Sequence, residues 1–431
     1  MAGGLGTRMR SDTPKHLHEL VGRRMVDWVL DTARPLAPQP LVVVAGPESQ
    51  AAFAGFDVVV QHRPLGTGDA VAAARPALEA HDGDVLVLSG DTPLVTTGLL
   101  EELLETHRRE RASATVLSFR PADPSTYGRI VRHADGSLRA IVEATDATPE
   151  ELEIREANSS IYVFAAEHLW RAVEGLEPAN AQGELYLTDA VRELAAEGLP
   201  VAAHLARDAL ECLGVNTRVE LAYAASVLRQ RINEAHMLAG VTIVDPSSTW
   251  IDADVELSPD TILQPFTVLR GRTKVATGAE VGPHAVCIDA EIGAGAMVGP
   301  FCYLRPGTVL EAGAKAGTFV EIKNSRIGAR AKVPHSSYIG DAEIGEDTNI
   351  AAGNITANFP HEPGRPKGKT TIGRNVRTAI HNGFVAPVTV GDDAWIAAGS
   401  VITEDVPPGA LAIARARQVN KEGYASRGRN D

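Results

Sequence analysis

Cysteine is scarce in this chain: Cys212, Cys287 and Cys302 are the only three among 431 residues. An odd number without CxxC spacing provides no disulfide framework, so reduced thiols in a cytoplasmic compartment are the expectation, as small buried hydrophobes. Long apolar runs are missing too. None approaches the roughly 18 residues of a membrane-spanning helix, so no membrane partner is expected. Basic residues are in deficit, 41 against 55 acidic, for a formal net charge of −14. That balance excludes nucleic acid and anionic membrane surfaces as partners, and an anionic substrate would need a local basic pocket. A further absence lies at the start, where a glycine-rich loop at residue 3 has no strand feeding it.

That loop reads Gly3-Gly4-Leu5-Gly6-Thr7-Arg8-Met9 and is followed by Pro14-Lys15. Glycines let main-chain N–H groups approach a ligand, and Arg8 and Lys15 add positive charge beside them, so a nucleotide polyphosphate is the natural guest. With 44% apolar residues the chain can build real cores, and its length allows two to four domains. Up to residue 216, apolar bursts at 41–45, 84–89 and 114–119 read as buried parallel strands and 97–108 and 187–197 as helices, an open α/β sheet. Residues 217–239 contain no Gly or Pro and carry Leu221, Ala224, Ala225, Leu228 and Ile232 at helical spacing. They form a linker helix that Asn216 caps at its start and Gly240 at its end.

Past Gly240 the texture changes to aliphatic–glycine pairs such as Val281-Gly282, Ile292-Gly293, Val298-Gly299, Ile327-Gly328, Ile339-Gly340 and Ile344-Gly345, with separations near multiples of six. One inward aliphatic per six residues is the hexapeptide pattern of a left-handed parallel β-helix, with three short strands per coil. The domain expectation is therefore 1–216 Rossmann-like α/β, 217–239 linker helix, 240–411 β-helix and 412–431 tail. Such solenoids usually assemble through their flat faces, and a homotrimer is expected.

Six motifs now stand in order: Gly3–Met9 with Pro14-Lys15, then Leu65-Gly66-Thr67-Gly68, Ser89-Gly90-Asp91-Thr92-Pro93-Leu94, Tyr127-Gly128-Arg129-Ile130, Ile141-Val142-Glu143 and Gly214-Val215-Asn216. With the hexapeptide domain behind them, they make essentially the whole chain resemble one bacterial family. This is the bifunctional N-acetylglucosamine-1-phosphate uridylyltransferase and glucosamine-1-phosphate acetyltransferase, which makes UDP-N-acetylglucosamine for peptidoglycan and lipopolysaccharide precursors.

Uridylyl transfer from UTP to N-acetylglucosamine 1-phosphate brings anions together, so it needs charge neutralisation and in-line positioning. Asp91 ends an apolar strand, where an open α/β sheet places its crevice. The resemblance implies that Asp91 and Asn216 hold Mg²⁺, which takes few protein ligands. It implies that Gly3, Gly4, Arg8 and Lys15 meet phosphates, with Arg8 at the leaving pyrophosphate, and that Gln61, Gly66 and Thr67 read the uracil edge. Gly128, Glu143 and Asn158 would contact the acetamido sugar. Asn158-Ser159-Ser160 stands where the family usually has Asn-Thr-Gly.

Acetyl transfer from acetyl-CoA to glucosamine 1-phosphate needs a base for the attacking amine, and histidine titrates in the right range. His335, in Val333-Pro334-His335-Ser336, is the candidate. Arg305 lies eighteen residues before Lys323, one full coil, and Lys323 lies twelve before His335, which is compatible with a shared face; the three would line one phosphate-binding groove. The resemblance adds Tyr338 and Asn349 as sugar and base-orienting contacts, and places Ala352, Asn358, Phe359, Ile380, Ala398, Lys367 and Arg415 at the acetyl-CoA site. Two departures bear on that site. The family's Asn-Tyr-Asp-Gly loop is lengthened here to Asn358-Phe359-Pro360-His361-Glu362-Pro363-Gly364, and Ile380 replaces a serine, so weaker acetyl-CoA binding with retained acetyl transfer is expected.

Other readings fit parts of the pattern: a uridylyltransferase whose β-helix is only a trimerisation scaffold, a nucleotidylyltransferase for another sugar phosphate and nucleotide, or a regulatory assembly protein. Lys15, Asp91, Asn216 and His335 argue for the bifunctional enzyme. In the family an apolar strand enters the glycine loop, so the natural protein is expected to begin about ten residues upstream of Met1, a length in keeping with ordinary strands and their connections.

Overall fold

The computed structural model describes residues 1–427 apart from 5, 361, 363 and 365. Leu5 of the glycine loop, His361 and Pro363 of the lengthened loop and residues 428–431 of the tail lie outside the described residues. Two compact units are present, Met1–Leu228 and Arg229–Asp431.

The first unit contains helices α1 (Met25–Ala33), α2 (Thr67–Leu78), α3 (Thr97–Glu110), α4 (Pro149–Leu152), α5 (Ala166–Glu174) and α6 (Leu187–Ala196). Its strands are β1 (Glu19–Leu20), β2 (Arg23–Arg24), β3 (Val42–Ala45), β4 (Asp57–Val60), β5 (Asp84–Val87), β6 (Ala114–Phe119), β7 (Arg129–Arg132), β8 (Leu138–Val142), β9 (Ala157–Ala165) and β10 (Val201–Leu205). Helix α7 (Arg218–Leu238) follows. Local chemistry sets the boundaries: Thr96 Oγ1 caps α3 by accepting from Leu99 N at 3.2 Å, and Arg111 ends it in the left-handed region.

The sheet is mixed, not parallel. β10 and β6 run parallel, but β9 is antiparallel to β6 and, on its other edge, to β5 and β7, while β7 and β8 form a hairpin. An apolar burst carries no direction. All six residues of β6 are buried, and a strand covered on both faces reads the same whichever way it runs. Between β3, paired with β4, and β5, paired with β9, lies an apolar slot of about 370 Å³ lined by residues 42–44 and 84–88. Met1 and Ala2 close one end of it: Ala2 N donates to Val44 O at 2.7 Å, and Gly90 N donates to Met1 O at 2.9 Å.

The second unit is a left-handed parallel β-helix. Three ladders of six, nine and eight parallel strands start at Thr242–Ile243, Trp250–Ile251 and Glu256–Leu257. Because each hexapeptide turns one corner, a residue pairs with its counterpart a coil later. On the second ladder Ile251, Leu269, Cys287, Leu304, Ile322 and Ile339 stack in one buried column. All three cysteines are free and buried. The corner between the first and second ladders repeats a left-handed residue on successive coils, at Phe266, His284, Phe301 and Phe319, and their rings stack at 4.6, 4.8 and 5.3 Å.

One local feature reports on the site. Ser160 sits at φ 63° within β9, and its N–H donates to Asn158 Oδ1 at 3.0 Å. A side chain held there costs about 1–3 kcal/mol, partly offset by the extra chain entropy that glycine loses on folding. Ser160→Gly is expected to raise the denaturant midpoint, a gain of about 1 kcal/mol, with unchanged slope. A lowered midpoint would mean that the serine hydroxyl holds this bend.

Candidate active sites

In the first unit, residues far apart in sequence converge on one ammonium group. Lys15 Nζ makes a very short contact with Asp91 Oδ2 and donates to Asn216 Oδ1 at 2.9 Å. Arg8 Nη2 reaches the same Asn216 oxygen at 2.8 Å, and the Ser89 hydroxyl donates to Asp91 Oδ1 at 2.6 Å. Gly6 allows the turn, with φ 62° and a position from which an added Cβ would stand 2.4 Å from Lys15 Cβ. Burial pushes the Asp91 carboxyl upward, but the Lys15 charge and the hydrogen bonds from Lys15 and Ser89 outweigh it and hold it below its ordinary value. Asn216 also opens α7, with its backbone N–H on Glu220 Oε2 at 2.8 Å.

Gln61 donates to Gly66 O at 3.1 Å and to Asp69 Oδ2 at 2.7 Å, and its amide oxygen closely faces Gly3. Thr67 Oγ1 accepts from Leu187 N at 3.0 Å. Gly3, Gln61, Gly66 and Thr67 thus share one neighbourhood, while nothing lies within 4 Å of the Cβ position of Gly4. Gly128 backs onto Glu143, its Cβ position 3.2 Å from Oε2, and its carbonyl accepts from Asn158 N at 2.9 Å. Burial pushes the Glu143 carboxyl up, against a hydrogen bond from Thr188 at 3.3 Å. Asn158 is buried and donates to the Tyr162 phenol at 2.8 Å. Sequence reasoning passed over Ser89, Asp69, Thr188 and Tyr162 as partners. Only Ser89 carried a signal, inside the Ser89-Gly90-Asp91 motif.

In the second unit His335 and Lys323 do not share a face. His335 ends the first-ladder strand Lys332–His335, whereas Lys323 ends the second-ladder strand Glu321–Lys323. Each six-residue step turns a corner, so twelve residues cover two sides of a three-sided coil; the two groups stand on opposite edges of the second face. Arg305 does follow Lys323 coil on coil, since Arg305 N donates to Ile322 O at 2.8 Å, and its guanidinium pairs with Glu321 at 2.8 Å. The Tyr338 ring folds over Gly340, which pairs with Lys323. The proximity of Lys323 holds the Lys367 ammonium below the usual lysine range, with Asp341 opposing. Asp341, unforeseen from sequence, accepts from Asn324 at 2.6 Å and from Asn358. Asn349 lies instead on the first ladder, bridged to Lys332 and Arg377.

The residues assigned to acetyl-CoA form a column at the His335 corner. Gly353 N donates to Ser336 O at 3.2 Å, His381 N to Ala352 O at 2.8 Å and Gly399 N to Ile380 O at 2.9 Å, so Ala352, Ile380 and Ala398 occupy successive coils. Arg415 comes next, its Cδ 3.9 Å from the Cβ position of Gly399. Phe359 is 73% exposed with Lys367 Nζ 6.0 Å from its ring centre, and Ile380 is 49% exposed, so both present apolar surface to solvent where hydroxyls were expected.

Residues 1–148 match the MobA-like NTP transferase domain family. Proteins named bifunctional protein GlmU from Mycobacterium bovis and Mycobacterium tuberculosis are each 48% identical over 100% of this chain and 92% of their own length. One from Mycolicibacterium vanbaalenii is 46% identical over the same shares. The chain belongs to the GlmU family. GlmU enzymes are bifunctional, pairing a uridylyltransferase with an acetyltransferase, and this chain is such an enzyme. Nucleotide substrates and a divalent metal go with the GlmU family.

The Lys15–Asp91 pair is only partly exposed, at 16% and 19% of the two side chains. Lys15→Met would leave a half-buried carboxylate without its cation, a loss of about 1–3 kcal/mol at pH 7. The native pair contributes above the unfolded aspartate pKa and is lost as pH falls through the lower folded value. In the variant burial dominates and Asp91 titrates above its unfolded value, so acid relieves the unpaired charge. Urea midpoints at pH 7 and pH 4 are therefore expected to show a deficit that shrinks toward acid; a pH-independent deficit would contradict the pairing.

Proposed function

We propose that residues 1–216 carry uridylyl transfer, 217–239 link, 240–411 carry acetyl transfer and 412–431 form a tail, acting on UTP with N-acetylglucosamine 1-phosphate and on acetyl-CoA with glucosamine 1-phosphate. The observation that supports this most is the convergence of Asp91 and Asn216 oxygens on a single cation, Lys15 Nζ. A carboxylate and an amide oxygen facing one cationic centre are the hard-oxygen donor set that Mg²⁺ takes, with phosphate and water completing its shell. Magnesium bound there would offset charge on the triphosphate. Lys15 and Arg8 then serve the phosphates and the departing pyrophosphate. Gln61, Gly66 and Thr67 present amide and backbone groups to the uracil edge. Gly128, Glu143 and Asn158 hold the acetamido sugar so that its phosphate oxygen faces the α-phosphorus in line.

In the second unit His335 takes the proton that the glucosamine amine loses as it attacks the thioester carbonyl, and the CoA thiolate leaves. Arg305, Lys323 and Tyr338 hold the sugar phosphate across the face from His335, and Asn349 orients groups from the first ladder. Ala352, Ile380 and Ala398 leave a shallow track for pantetheine, Arg415 and Lys367 meet its phosphates, and Phe359 with Asn358 borders it. Losing two hydroxyls there favours weaker acetyl-CoA binding with the chemistry retained.

Glucosamine 1-phosphate, acetyl-CoA, UTP and Mg²⁺ are expected to give UDP-N-acetylglucosamine, and omission of acetyl-CoA alone to abolish it unless N-acetylglucosamine 1-phosphate is supplied. His335→Ala should lower acetyl transfer by about 10²–10⁴-fold and leave uridylyl transfer untouched. Unchanged acetyl transfer in that variant would refute the base assignment and leave the scaffold reading.

We also propose a homotrimer in the cytoplasm. Ion pairs cover the third face, including Lys274–Glu256 at 3.0 Å and Lys369–Glu343 at 2.7 Å. The first and second faces expose Met297, Trp395 and Leu411, and Tyr303, Ile355 and Val401, an apolar surface of the kind that oligomers bury. No helix among the described residues is long and apolar enough to cross a membrane. Light scattering is expected to give three times the 45.6 kDa chain mass, and Trp395→Glu to reduce it; a wild-type monomer would overturn the proposal.

A further inference from the structure

Strand β9 is distorted where it carries Asn158. Between the pairs Val116–Tyr162 and Ser118–Asn158, β6 advances two residues and β9 four, and Ser160 within the extra stretch is left-handed at φ 63°. A bulge of this kind re-aims the side chains around it. Here it turns the Ser160 N–H back onto Asn158 Oδ1 at 3.0 Å and sets Asn158 Nδ2 2.8 Å from the Tyr162 phenol oxygen. A backbone N–H can only donate, so the amide atom it meets is the oxygen and the atom facing the phenol is the nitrogen. The amide is thereby fixed at two points, and one point alone would leave it free to rotate. Both side chains are buried, Asn158 at 3% and Tyr162 at 2% exposure, and the Tyr162 ring lies 5.8 Å from that of Phe164.

A side-chain amide carries two N–H donors and an oxygen with two lone pairs. Among the described residues Asn158 spends one donor on Tyr162 and one lone pair on Ser160. It keeps one donor and one acceptor in a buried setting, where an unmet polar group is costly. Gly128 O accepts from Asn158 N at 2.9 Å, and the Cβ position of Gly128 stands 3.2 Å from Glu143 Oε2, so Asn158 belongs to the same corner as that carboxyl. An acetamido group, with one N–H and one carbonyl, complements what the amide keeps. A hydroxyl in its place is shorter and offers no carbonyl, and a site built to hydrogen-bond a group rejects the analogue that lacks it. We propose that Tyr162 is a positioning residue that determines specificity: its phenol oxygen holds the Asn158 nitrogen so that the amide meets the acetamido group, which sets the preference for a 2-acetamido over a 2-hydroxy sugar phosphate. Tyr162 acts through Asn158 and does not touch substrate. The proposal rests on the uridylyl-transfer reading of the first unit.

Steady-state uridylyl transfer by the full chain tests it, with N-acetylglucosamine 1-phosphate and glucose 1-phosphate as alternative sugar substrates. Tyr162→Phe keeps the ring beside Phe164 and removes the phenol oxygen alone. It is expected to raise the KM for N-acetylglucosamine 1-phosphate about tenfold and to lower the kcat/KM preference for it over glucose 1-phosphate by a similar factor, with kcat and the KM for UTP within about twofold. Asn158→Ala is expected to lower that preference too, and adding Tyr162→Phe to it is expected to change the preference no further, because the phenol acts through the amide. A Tyr162→Phe protein with wild-type KM and preference overturns the proposal, even if it melts at a lower temperature, and so do additive effects in the double variant. If Tyr162→Phe fails to fold, Asn158→Ala decides: a lowered preference upholds the proposal and an unchanged one overturns it. Absence of uridylyl transfer in the wild-type chain would instead refute the parent reading, so the two failures are distinct.

Discussion

Neutralising concentrated negative charge is the constraint that shapes the first unit. A chain with a formal charge of −14 must gather phosphates, and it has few cations at the point where its segments meet. Lys15 is held between Asp91 and Asn216, with Arg8 beside them. Three backbone segments separated by most of the unit have to meet for this to happen. The glycine loop must turn at Gly6, β5 must deliver residues 89–91, and the chain must return after β10 to set Asn216 at the start of α7. The remainder of the unit can be read as what brings these three segments together.

The second unit answers a different constraint. Flat strands of two to four residues cannot bury a core alone, so coil stacks on coil and the corner residue repeats. Corners are where the candidate site residues gather, because a side chain there escapes both the ladder and the core. His335, Ala352, Ile380 and Ala398 lie along one corner, while Arg305, Lys323 and Lys367 lie along another. The second face, with Tyr338 across it, is the floor between them. Phe359 and Ile380 present exposed apolar surface beside that floor.

Much of this was legible from sequence for a simple reason: loops that bind phosphate and solenoids that repeat both write short, contiguous signatures. The 114–119 strand, the 218–238 helix and the coil-on-coil stacking of Arg305 with Lys323 follow from local pattern. Strand direction did not, since β6 is buried on both faces and such a strand reads the same whichever way it runs. The shared face for Lys323 and His335 failed because a multiple of six fixes an equivalent position on some face, and only a multiple of a full coil returns to the same one.

Composition, motif order and period determined by themselves that this is a two-part enzyme of a nucleotidyltransferase sheet and a hexapeptide solenoid, since each depends on neighbours along the chain. Tertiary structure alone decided that the half-buried Asp91 keeps its charge, because the Lys15 ammonium arrives from 76 residues away. It alone decided that Arg129 lies buried against carbonyls, and that Lys323 and His335 stand at opposite edges of one face. Burial and through-space charge are properties of where segments meet, and no single segment records them.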